Sequence, residues 1–203
     1  TLGGDEALRS VAAEVERTAD LLAGLPVQAE GPRFDPAGGG DGGDGGAGGA
    51  ALHRVMPFDM VVGRCNPTAP PVTITFQPPL ALGVATFAAT HEGAPGWVHG
   101  AAVAAAFDMV LTAANLVHGV AGPTVSLSLR YRRPTLLAQE CRFEAWVESV
   151  KGKRVRTRGR LVQDAGTTVE AEGEFVSLRY EDIQARTPGT GNAAGLGGAA
   201  APT

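Results

Sequence analysis

The sequence predicts an α+β protein in which one antiparallel sheet wraps a single long central helix. Three observations carry that prediction. A continuous apolar run from His99 to His118 has helical length and stops at Gly119. Two strand-like segments precede it and four follow, each bounded by Gly or Pro. The breaks among the last four are short, which makes their neighbours antiparallel. One sheet and one helix can bury their apolar faces only against each other.

Taken in chain order, residues Asp5 to Leu25 carry apolar side chains at Leu8, Val11, Ala12, Val15, Leu22 and Leu25. That spacing draws one stripe along a helix, and Asp5 and Glu6 sit at its positive end, where anions are favoured. A separate amphipathic helix is therefore expected within residues 1–29. The composition then changes: Gly38 to Gly49 is almost all Gly, Ala and Asp. Such a stretch buries too little apolar surface to offset its ordering entropy, so residues 30–52 read as a flexible linker and residues 183–203 as a disordered tail.

The folded part is expected over residues 53–182. A strand at Val72 to Gln77 places Val72, Ile74 and Phe76 on one face and is broken by Pro78 and Pro79. A second strand covers Leu82 to Thr90, and a Gly- and Pro-rich loop leads to the helix. Strands at Thr124 to Arg133, Cys141 to Val150, Arg154 to Asp164 and Thr168 to Leu178 complete the set.

Composition narrows the function. The chain has 203 residues, 44% of them hydrophobic, and a net charge of -4, the profile of a soluble globular protein of one or two domains. A mildly acidic balance does not suit a general nucleic-acid binder. Cys65 and Cys141 are isolated, and His53, His91 and His118 lack partners at ligand spacing, so neither a disulfide framework nor a metal site is expected. Free thiols fit a reducing compartment. No run reaches the ~20 apolar residues of a membrane span. The acidic start of the chain does not read as a signal peptide, so a cytoplasmic location is expected.

The helix reads HGAAVAAAFDMVLTAANLVHG. Apolar residues occupy every side, the pattern of a buried helix, and Asp108 is its one carboxylate. An acid there either points to solvent, as mid-helix Asp usually does, or is held for a purpose, because a buried carboxylate needs partners. No Ser, Thr, Asp or Asn caps the helix start, so its first N–H groups are expected to be free at the positive end of the dipole. That is a suitable place for a developing oxyanion.

The stretch HEGAPGWVHGAAVAAAFD, followed by PTVSLSLRYRRPTLL, resembles the PaaI-like and THEM-like branch of the hotdog-fold thioesterases. The matching pieces are Glu92-Gly93-Ala94-Pro95-Gly96, His99-Gly100-Ala101, Asp108 and Tyr131-Arg132-Arg133-Pro134. The resemblance covers about His53 to Leu178. It implies a hotdog fold and hydrolysis of an acyl-CoA to free acid and CoA, with coenzyme A present only as part of the substrate and no other cofactor. It assigns Asp108 as general base or nucleophile, the Gly100 N–H as oxyanion donor, Thr124 as the residue holding the carboxylate or water, and His99 as the residue fixing the helix start. Some relatives carry a side-chain amide near the place of Gly93, so that donor is absent here or comes from elsewhere. Ala101 stands where the family has a second glycine, and its methyl narrows the approach of CoA or of a partner chain. Trp97 is a candidate wall of the acyl pocket, with plain packing as its other reading. A CoA-binding protein without activity and a hotdog hydratase or dehydratase remain the alternatives.

Helix geometry adds a condition. Gly100 and Asp108 lie about 12 Å apart along one helix axis, too far to serve one thioester carbon. Two antiparallel helices from two chains would bring them together, so a homodimer or tetramer is expected. Finally, Arg154, Arg156, Arg158 and Arg160 alternate along one strand and share a face. They could clamp CoA phosphates, with Arg132 and Arg133 as further candidates, or could form a solvated outer face.

The domain boundaries make a first prediction. Limited proteolysis of the full chain should cut between Glu30 and Ala51 and leave a stable fragment starting near His53. A chain cut first within residues 72–178 would contradict that division.

Overall fold

The computed structural model describes residues 3–23, 52, 56, 59–63, 65–120 and 122–178. The expected linker up to residue 51 and the expected tail at 183–203 lie outside the described residues. The first helix belongs to one compact unit and the described residues from Leu52 onward to a second.

Helix α1 spans Gly3–Ala23. Of its predicted apolar stripe, Leu8, Val11, Ala12 and Val15 are open to solvent, and Leu25 lies outside the described residues.

The second unit holds strands β1 (Thr73–Gln77) and β2 (Leu80–Thr86), helix α2 (Gly100–Val117), and strands β3 (Thr124–Tyr131), β4 (Glu140–Lys151), β5 (Arg154–Gln163) and β6 (Gly166–Val176). They form one six-stranded sheet in the order β1-β2-β4-β5-β6-β3, and every pairing is antiparallel. The predicted order of two strands, a helix and four strands is the observed one. The second strand is shorter than expected because Ala89–His91 turn into a short 3-10 helix. The strand expected to reach Arg133 ends at Tyr131, because the N–H groups of Arg132 and Arg133 both donate to the Thr168 carbonyl and turn the chain. Leu52, placed at the linker's end by composition, is only 5% exposed and joins the core.

Alternation explains the sheet. Along β5 the arginines at 154, 156, 158 and 160 are exposed while Val155, Thr157, Gly159 and Leu161 are buried. The buried face meets α2 through Val103, Ala106, Phe107, Val110, Leu111 and Ala114. The approach is close: a Cβ on Gly159 would lie 2.9 Å from the Glu144 carbonyl oxygen and 3.2 Å from the Phe107 ring. Phe107 in turn meets Phe143 edge-on at 5.1 Å, an arrangement aromatic pairs favour. Inside this apolar layer the Thr157 hydroxyl donates to Asn115 Oδ1, which satisfies two buried polar groups that would otherwise be costly.

Helix α2 is not buried on all sides, as its sequence suggested. Ala101 and Leu116 are exposed, and Ala104, Ala105, Asp108 and Thr112 are half-buried, so one stripe is open. Contrary to the sequence reading, α2 is long and apolar enough to cross a membrane, with a mean hydropathy of 1.6. Its apolarity is accounted for by the sheet it lies on.

The two thiols sit in opposite settings. Cys65 is exposed and Cys141 buried, and burial pushes the Cys141 thiol up to about 11. A disulfide exchange reagent at pH 8 should therefore modify one thiol per native chain quickly and the second only after denaturation. Rapid reaction of both thiols in the native protein would contradict the burial of Cys141.

Candidate active site

Asp108 sits midway along α2, on its open stripe. Its Oδ1 accepts a hydrogen bond of 2.7 Å from the Thr124 hydroxyl. It is half-buried, not enclosed as its apolar surroundings in the sequence suggested. Thr124 reaches it because of a bulge. Ser126, Ser128 and Arg130 pair with Glu174, Glu172 and Glu170 on the outer face, and strict alternation would put Thr124 there too. The register shifts between Thr124 and Ser126, so Thr124 pairs instead with the inward Phe175. One extra residue, Val125, turns Thr124 toward the helix.

The helix start differs from expectation in one respect. His99 caps α2: its Nδ1 accepts from the Ala101 N–H at 3.0 Å. An Nδ1 that accepts implies a neutral ring with its proton on Nε2. The cap removes Ala101 from the set of free donors, and the Gly100 N–H is left with no hydrogen-bond acceptor among the described residues. The loop before it is held tightly. Gly96 N–H donates to Glu92 Oε1 at 2.7 Å, Gly93 N–H to the Trp97 carbonyl, and His99 N–H to the His91 carbonyl. A Cβ on Gly93 would lie 3.0 Å from the His99 Cα, so that position has no room to supply a side-chain donor. Trp97 is 46% exposed, so it is not a plain core residue within one chain.

The segment after β3 braces this loop. Val98 N–H donates to the Thr135 carbonyl and Leu137 N–H to the Gly96 carbonyl. Buried Gln163 pairs with Leu136 as a strand residue would: Oε1 accepts from its N–H and Nε2 donates to its carbonyl, both at 2.9 Å. Tyr131, absent from the sequence-based site, donates its hydroxyl to the Gly100 carbonyl at 2.8 Å. Desolvation raises the pKa of this phenol above its ordinary value, so it stays protonated and a donor at neutral pH. The signal available in the sequence was its place on the same strand as Thr124.

The arginines lie elsewhere. On the outer face of the sheet Arg156 pairs with Glu172 and Glu174 at 3.4 and 3.0 Å. Arg158 pairs with Glu148 and Glu172 at 2.9 and 3.5 Å, and Arg160 with Glu144 at 2.6 Å. Arg132 pairs with Glu170 at 2.6 Å, and Arg133 donates to the Ala165 carbonyl. Of the arginines singled out as phosphate candidates, Arg133 and Arg154 make no ion pair among the described residues. Arg133 is held by the Ala165 carbonyl, which leaves Arg154 as the one with neither an ion pair nor a side-chain hydrogen bond among those residues. Arg154 lies at the β4–β5 hairpin with Lys151 and Lys153, at the Thr124 end of the sheet: the Lys153 carbonyl accepts from Ser177 N–H, and the Pro123 carbonyl accepts from Val176 N–H.

Comparison with known proteins fits this arrangement. Residues 95–170 match the thioesterase superfamily model. One solved structure, described as a thioesterase superfamily protein, is 34% identical, covers 84% of this chain and 78% of its own, and superposes with a TM-score of 0.68. The chain belongs to the thioesterase superfamily. Zebrafish thioesterase superfamily member 2 is 17% identical, covering 53% of this chain and 82% of its own with a TM-score of 0.50. The Escherichia coli PaaI protein of the phenylacetic acid degradation operon is 15% identical, covering 53% and 80% with a TM-score of 0.50. These two share the hotdog fold of the thioesterase chain. A search of the curated proteins finds no match.

Proposed function

We propose that this superfamily member hydrolyses an acyl-CoA thioester to a free acid and CoA, and that it does so as a homodimer. The observation that carries the proposal is the 2.7 Å bond from Thr124 to Asp108 Oδ1. It fixes a carboxylate on the helix whose first N–H, at Gly100, has no acceptor among the described residues. Thr124 occupies Oδ1 and leaves Oδ2 for chemistry. As a general base, Asp108 takes a proton from water as the water oxygen bonds to the thioester carbon. The carbonyl oxygen becomes an oxyanion held by the Gly100 N–H, and its collapse breaks the C–S bond and releases CoA. As a nucleophile, Asp108 forms a mixed anhydride that water then hydrolyses. Both routes need the same two groups.

The open edge supports the second chain. Strand β3 has a neighbour on one side only, and Val125 and Tyr131 on it are 61% and 51% exposed. An unpaired edge with exposed apolar residues is a template for another strand. Antiparallel pairing of two copies of β3 over their full length sets Thr124 opposite the partner's Tyr131. That brings Asp108 of one chain toward Gly100 of the other, which separation of about 12 Å along one helix forbids within a chain. Trp97 and Ala101, exposed beside Gly100, then face the acyl group, next to the bare Gly93.

Two experiments follow. In the first, Gly100→Pro removes the N–H at a position where helices tolerate proline, and Asp108→Asn removes the base. Each homodimer should be inactive. Mixed dimers hold one intact and one doubly altered site and should recover about half the wild-type activity; mixed dimers shown to form yet inactive would refute the shared site. The second concerns CoA phosphates. Arg154→Gln should raise KM for acyl-CoA more than for an acyl thioester lacking the nucleotide. Arg156→Gln and Arg158→Gln, whose guanidiniums already hold carboxylates, should leave the ratio of the two KM values unchanged. A larger effect from Arg156 or Arg158 than from Arg154 would return the phosphate role to the paired stripe.

A further inference from the structure

The inner face of β3 carries a group that the hydrolytic scheme leaves idle. Tyr131 closes the strand, and its hydroxyl donates to the carbonyl of Gly100, the first residue of α2, at 2.8 Å. A Cβ built on Gly100 would lie 3.1 Å from that hydroxyl oxygen and 3.4 Å from Cζ. The phenol therefore occupies the side of residue 100 where other amino acids carry their side chain. Any larger residue there must push the ring back and strain the bond to the carbonyl. The same strand holds Asp108 at its other end through Thr124. One edge strand thus grips the helix at both of its functional points.

We propose that Tyr131 is the positioning residue of the Gly100 N–H. The hydroxyl holds the Gly100 carbonyl and the ring fills the space beside its Cα, so together they fix the Cα at which the carbonyl's peptide joins the preceding peptide that carries the N–H. This rests on the reading of Gly100 as an oxyanion donor. An oxyanion donor acts by being preorganised toward charge that develops only in the transition state. A slackened backbone at Gly100 therefore costs turnover more than substrate binding. A tyrosine that merely tied β3 to α2 would change stability and leave turnover of the folded enzyme intact.

The test compares four full-length forms: wild type, Tyr131→Phe, Gly100→Ala, and both changes together, each confirmed as folded. Tyr131→Phe should lower kcat about tenfold, the size of one hydrogen bond, with KM within about twofold of wild type. Gly100→Ala should lower kcat in the tyrosine background and cost little more in the phenylalanine background, because loss of the hydroxyl removes the 3.1 Å contact. Wild-type kcat in Tyr131→Phe, or an equal penalty for Gly100→Ala in both backgrounds, would overturn the proposal. Melting temperatures of the four forms provide a readout independent of activity: the loss in the double variant should be smaller than the sum of the single losses. Additive losses would refute the fit between the two residues whether or not thioesters are cleaved. Non-additive losses in a chain that cleaves no acyl-CoA would instead sink the thioesterase reading, and the positioning role with it.

Discussion

The depth at which α2 sits on the sheet governs everything else. Ala106, Ala113 and Ala114 face the strands without bulk, and Gly159 leaves room beneath Phe107 and Leu111. Protein interiors tolerate added volume poorly, so a methyl at 159 would lift the helix. Asp108 would then leave the reach of Thr124, and the Gly100 carbonyl the reach of Tyr131. Core and site are one arrangement: the contacts that bury Phe107 also fix, one residue on, the position of the carboxylate.

The outer face follows a different rule. Arg156, Arg158 and Arg160 on β5 stand opposite Glu174, Glu172 and Glu170 on β6, and β4 adds Glu148 beside Arg158 and Glu144 beside Arg160, so the cations of one strand are balanced by acids of its neighbours. Exposed pairs of this kind contribute little individually. Their effect is mostly to keep a cationic stripe from acting as one, and the hairpin at Lys151, Lys153 and Arg154 is left as the concentration of unbalanced positive charge on this strand.

Much of this was legible in the sequence, and the reasons for the rest are physical. Alternation in β5 and the apolar run of α2 gave the sheet and the helix because both periodicities are local. The spacing from His99 to Asp108 likewise located the helix start and its carboxylate. The bulge at Val125 was not legible, since register depends on the partner strand. Nor was the cap: His is not among the usual capping residues, and only the backbone geometry at His99 turns its Nδ1 onto the helix. The pairing of the arginines was hidden because their glutamates come from neighbouring strands. Tyr131 stood in plain view within its motif, but its contact spans 31 positions of chain.

The pairing of Gln163 with Leu136 has a consequence at a distance. That amide, buried on β5, secures the segment that receives Val98 and Gly96, so the wall beside the helix start is hung from the middle of the sheet. The shape of the loop before α2 is therefore inherited from a buried residue away from Asp108, Thr124 and Gly100. A change at position 163 would reshape that wall and leave those three residues untouched.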